Sequence, residues 1–196
     1  MISQNLETYD LGSYHWPVTA ASAAAQSWFD RGVRWCHGFN HEAAVYCFER
    51  AVEQDPGCAM AYWGIAYAIG PNYNKPWALF DPVDLGQTLA RANHVLDEAD
   101  KAASRATDVE RALIGSLRKR YPQGTEAPDL DISNEAYCSA MRAVLERFPD
   151  DLDVLTLYVE AVLDRTPWQM WDLGGAGPGH WRGHTRDRGP MQRSVP

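Results

Sequence analysis

The chain has 196 residues, 45% of them hydrophobic, and a formal net charge of −8 at pH 7, which allows one sizeable core in one domain. The acidic balance argues against a nucleic-acid surface, because phosphate binding needs clustered Lys and Arg. No apolar run approaches the ~20 residues that span a bilayer, and MISQNLETYDLG lacks the basic run and apolar core of a secretory signal.

Residues 1–19 read as an extension ahead of a helical domain over 20–173. Trp28, Gly32 and Trp35 are followed by Ala44, Phe48, Ala51 and Pro56. This is the spacing of the tetratricopeptide (TPR) repeat: an aromatic, Leu-Gly, a second aromatic, A-x3-F and a closing Pro, with Arg31 in the Leu slot. Gly32 and Ala44 are small so that two helices of a hairpin cross closely, Trp35 and Phe48 fill the flanking space, and Pro56 stops the second helix. Asn40 supplies a cap for the helix that begins at His41.

One repeat of 34 residues beyond Trp28 stands Tyr62, followed by Ile65, Ala66 and Ile69 in the matching slots. The partner helix, with Ala92, Leu96 and Ala99, arrives 14 residues late, after the long loop Gly70–Pro82, GPNYNKPWALFDP. Asp81-Pro82 places a cap before a first-turn proline. A third unit pairs Leu113, Ile114 and Leu117 with Tyr137, Met141, Val144 and Pro149, across the loop Tyr121–Asp131. Ser133 reads as the start of its second helix, without a capping-box Glu. A fourth first-helix carries Leu155, Tyr158, Val159 and Val162. The expected architecture is therefore all-α: a TPR-like α-solenoid of about seven helices with long inter-helix loops and a C-terminal tail.

That tail, residues 174–196, holds six Gly, three Pro and four Arg against one Asp, so it carries +3 and residues 1–173 carry −11. Such a composition cannot offset its ordering entropy and predicts disorder. The break falls where the last helix should meet its partner, and it reads as a premature end. The uncapped last helix, with Trp168 and Trp171 beyond it, is then a surface for possible self-association.

The runs GFNHEAA, DPGCAMAYWG and GPNYNKPW resemble a bacterial and fungal family of TPR-domain proteins, the group that includes tetratricopeptide repeat protein 38. The similarity covers roughly residues 9–173. It implies a helical-repeat fold, and family members are longer, with further repeats.

In a solenoid of this kind the first helices line a groove, and the residues one and five beyond each aromatic marker face it. These are Phe29, Val33, Trp63 and Tyr67, an aromatic wall suited to a protein or peptide partner with hydrophobic anchors. The opposite possibility is that long loops fill the groove and these aromatics are core. Asn72 and Asn74 offer polar contacts beside Tyr73 and Trp77, or do ordinary turn chemistry. Cys36, His37 and His41 are the one local metal-ligand group, one short of the four that zinc takes.

No GxSxG, GxxxxGK[ST] or HExxH occurs, so no catalytic residue and no cofactor is expected. Asp97, Glu98, Asp100, Asp150, Asp151 and Asp153 read as surface or helix-start carboxylates. The tail histidines His180 and His184 lie in a Gly-rich stretch that does not form a helix face. Cys36, Cys47, Cys58 and Cys138 make no CxxC pair and read as free thiols of a cytoplasmic protein. Together these expectations describe a non-catalytic interaction module. The alternatives are a small-molecule- or metal-binding enzyme whose loops close over the groove, and a fragment with no independent function.

Overall fold

Seven α-helices account for most of the described residues, 6–123 and 129–169, of the computed structural model. They are α1 (Ala23–His37), α2 (His41–Gln54), α3 (Ala59–Ile69), α4 (Pro82–Ala102), α5 (Asp108–Arg118), α6 (Leu130–Arg147) and α7 (Leu152–Leu163). Short 3-10 turns occupy Leu6–Thr8 and Trp77–Leu79. Among the described residues there is no β-strand, only an isolated bridge between Asn72 and Lys75. The protein is all-α.

Polar side chains set the helix starts by accepting from orphan backbone N–H groups. Asn40 accepts from the Ala43 N–H at 3.1 Å, and Asp81 accepts from Val83 and Asp84 at 2.8 and 2.9 Å. At α5 a full capping box forms between Thr107 and Glu110. The start of α6 differs from expectation. Asp129, not Ser133, is its cap, and the helix begins at Leu130, inside the segment read as loop. Asp129 accepts from both Asp131 and Ile132, which makes it the stronger initiator.

Each helix packs on its neighbour in sequence, and α1 also meets α3 while α3 meets α5. The cause at the centre of the first three helices is Phe48. A Cβ added at Gly32 of α1 would lie 2.5 Å from its ring, and one at Gly64 of α3 would lie 2.6 Å away. Two bare backbones therefore clamp one fully buried ring. Ala92, Leu96 and Ala99 of α4 are fully buried, as their repeat spacing predicts, despite the late arrival of that helix.

The second half contains a different kind of centre. Arg120, just past α5, is wholly buried and ion-paired with Asp164, itself only 4% exposed. The guanidinium lies 4.1 Å from the Tyr137 ring centroid and donates to the Pro71 carbonyl at 3.2 Å. Tyr121 donates to the Ala66 carbonyl, and a Cβ at Gly70 would lie 2.0 Å from the Tyr121 hydroxyl. The long loop is thus fastened to α3, α5, α6 and the end of α7 through one cationic hub. Beyond that hub Trp168 is exposed, as is Leu152 at the start of α7. Trp171, His180, His184 and the whole 174–196 tail lie outside the described residues.

Candidate binding site

The first feature of the site is that the amino-terminal segment lies across it. Trp16 meets Phe29 of α1 and Trp63 of α3 edge-on, with ring centroids 5.7 and 5.6 Å apart. Phe29 and Trp63 are accordingly buried, with Val33 beside them, and Tyr67 is partly buried, stacked on Trp63 at 4.9 Å. Among the described residues, the ring that covers this aromatic wall is Trp16, from the extension ahead of α1.

Residues 14–21 form a strap held mainly by carboxylates. Asp30 of α1 accepts from the Trp16 N–H at 3.2 Å and from His15 Nδ1 at 2.7 Å. Gln26 closes both sides of the main chain, accepting from Val18 N–H at 2.9 Å and donating to the Trp16 carbonyl at 2.8 Å. Glu110 of α5 accepts from the Thr19 N–H and hydroxyl at 2.5 and 2.7 Å. Asp55, after α2, accepts from Ala21 N–H. Asp30, Asp55 and Glu110 are all buried. A buried carboxylate is stable only when its lone pairs are used, and the strap's N–H groups use them. Sequence reasoning passed over these residues because Asp30 and Glu110 look like ordinary helix acids and Asp55 like an ordinary turn acid; the capping-box spacing Thr107–Glu110 was the one visible signal.

Between the strap and α7 a cavity of about 420 Å³ remains. Trp16, Val33, Cys36, Trp63, Tyr67 and Leu157 supply its walls, and Tyr14, His37, Asp153 and Thr156 its more polar border. The Tyr14 hydroxyl donates to Asp153, tying strap to α7 at the edge of the cavity. Burial, then that bond, raises the Tyr14 pKa. Tyr67 donates to Glu160 at 2.6 Å. Burial raises the Glu160 pKa, opposed by Arg120, by the Tyr67 hydroxyl and by His37. Asp164 is raised by burial as well, with Arg120 opposing and Glu160 adding. Two acids therefore face one buried guanidinium, which favours keeping a proton on the pair.

The remaining candidate residues fall elsewhere. Asn72 and Asn74 border a wide polar groove of about 980 Å³ between α2, α4 and the Gly70–Pro82 loop. The Asn72 side chain accepts from the N–H groups of Asn74 and Lys75 at 2.9 and 3.0 Å, so it shapes the turn. Cys36 and His37 border the apolar cavity, whereas His41 lines the polar groove. Among the described residues no three His, Cys, Asp or Glu side chains gather to hold a metal ion. All four cysteines are buried and outside any disulfide, and burial raises the Cys36 thiol far above its usual pKa, away from nucleophilic use. Asp97 and Asp100 pair with Arg118, Glu98 pairs with Lys101, and Asp151 caps α7. No described helix is long and apolar enough to cross a membrane. Comparison with family models, curated proteins and solved structures finds no match to this chain.

Proposed function

We propose that this protein is an interaction module: a TPR-like solenoid whose first helices present a concave face to an extended peptide segment of a protein partner. The binding is non-covalent, with aromatic anchors for side chains and carboxylates for main-chain N–H groups. The observation that carries this reading is the strap. Over residues 14–21 a non-helical segment is held by Trp16 on Phe29 and Trp63, and by side chains of Gln26, Asp30, Asp55 and Glu110 reaching its backbone. That is how a peptide-recognition surface works: backbone bonds hold an extended chain and a buried aromatic fixes its register. The helix pairing of α1 with α2 and α3 with α4, and the contacts of α1 with α3 and α3 with α5, support the repeat architecture.

The test supplies the strap in trans. A fluorescent peptide of residues 9–22 is titrated into a Trp16→Ala chain, whose own anchor is lost, and into the unaltered chain. Saturable binding to the Trp16→Ala chain, absent with a scrambled peptide and weaker by at least tenfold with the unaltered chain, is the expected result. Equal signals from native and scrambled peptides would show that the face does not read a peptide.

A further inference from the structure

The space the strap leaves open has a chemistry of its own. We propose that the cavity between Tyr14–Trp16, α1, α3 and the first half of α7 is a binding site for a small organic cation with an aromatic or branched apolar body. Its volume, about 420 Å³, falls within the roughly 300–1,000 Å³ range of small-molecule sites. Its walls are apolar and aromatic. Trp16 and Trp63 meet edge-on at 5.6 Å, and Tyr67 lies flat against Trp63 with 10° between the ring planes. Aromatic faces attract a cation through the ring quadrupole, and more strongly where water is excluded.

The polar groups point the same way. Asp153 places a carboxylate at the border, and among the lining residues only His37, which is exposed, can carry a positive charge. Tyr67 spends its proton on Glu160, so its oxygen is left as an acceptor. A neutral apolar ligand would leave the Asp153 charge unbalanced, and an anion would meet Asp153 and the −11 charge of residues 1–173. An ammonium group beside Asp153, with its apolar body against Trp63 and Leu157, satisfies both halves of the lining. The site stands whether or not the outer face takes a peptide.

Three probes of one shape and different charge test it: tryptamine, indole and indole-3-acetate, measured by calorimetry with the full chain. Tryptamine is expected to bind at least tenfold tighter than indole, and indole-3-acetate more weakly than either. Asp153→Asn keeps an acceptor for Tyr14 but removes the charge, and should erase the preference of tryptamine over indole. Thr156→Trp, at an exposed position on the border, should fill the cavity and abolish binding of all three. In the unaltered chain, tryptamine should shift the indole N–H resonances of Trp16 and Trp63, a readout that needs no variant to fold. Binding that ignores charge, or shifts that leave Trp16 and Trp63 untouched, would overturn the proposal.

Discussion

One apolar core runs through both halves of this molecule, but what stands at the centre of each half differs. From the strap through α3 the centre is apolar: Phe48 gripped by Gly32 and Gly64, with Phe29, Trp16 and Trp63 packed outward from it, edge-on or tilted. From the Gly70–Pro82 loop through α7 the centre is ionic, with Arg120 wholly buried among Asp164, Tyr137 and Pro71. The first half is robust in kind, since apolar packing degrades gradually as volume is lost. The second is all-or-none, because a buried charge that loses its partner keeps its full desolvation cost. The contrast teaches where a long loop can be tolerated. Gly70–Pro82 separates α3 from α4, and the loop is anchored both by the Arg120 bond to the Pro71 carbonyl and by buried Trp77, edge-on to Tyr121 with centroids 6.1 Å apart.

The sharpest way to break this comparison is at the hub. Arg120→Met should destabilise the chain by about 3–5 kcal/mol, since Asp164 then stays buried without its partner. Arg120→Met combined with Asp164→Leu should recover most of that loss, read as the midpoint of urea unfolding. If the single and double variants are equally unstable, the pair is a spectator. In the apolar half, Gly64→Ala pushes a Cβ into the Phe48 ring and should destabilise by about 1–3 kcal/mol. Gly86→Ala, where an added Cβ meets nothing within 4 Å, serves as its control and should be neutral or slightly stabilising.

A smaller effect separates the halves by pH. Burial raises the Glu160 pKa in the folded chain above its unfolded value, so the folded state binds the extra proton. The stability this gives is present at acid pH and is lost as pH rises from the ordinary carboxylate range through the raised value. Glu160→Gln keeps an acceptor for Tyr67 and removes the titration. The stability of the natural chain relative to Glu160→Gln should therefore fall with rising pH across that window. A difference that stays flat, or one that grows, would mean the acid is not held protonated by its surroundings.

Much of the apolar half was legible in the residues. The spacing of Trp28, Gly32, Ala44, Phe48 and Tyr62 placed three helices, and Asn40 and Asp81 placed two caps, because local periodicity and capping are short-range effects. The start of α6 was missed, since Asp129 sits in a stretch whose Pro and Gly content reads as loop. The hub was not legible at all. Arg120 stands in LRKRYPQG beside Arg118 and Lys119, and nothing local distinguishes the one cation that turns inward from the two that do not.

The candidate site divides along the same line. Phe29, Val33, Trp63 and Tyr67 do share one region, as their positions along the helices dictate. Cys36 and His37 do not meet His41, and Asn72 is used within its own turn. Residues 14–19 looked like an extension because their bonding partners, Asp30 and Glu110, are up to 91 positions away in the chain.

By itself, then, the sequence determined the helical class, several helix boundaries and which side of each early helix is apolar, because those follow from spacing and caps within a few residues. Only the tertiary structure decided what lies on that side. The strap over the aromatic wall, the cavity it leaves and the inward turn of Arg120 all depend on contacts between distant residues, where burial, not local pattern, sets the energy.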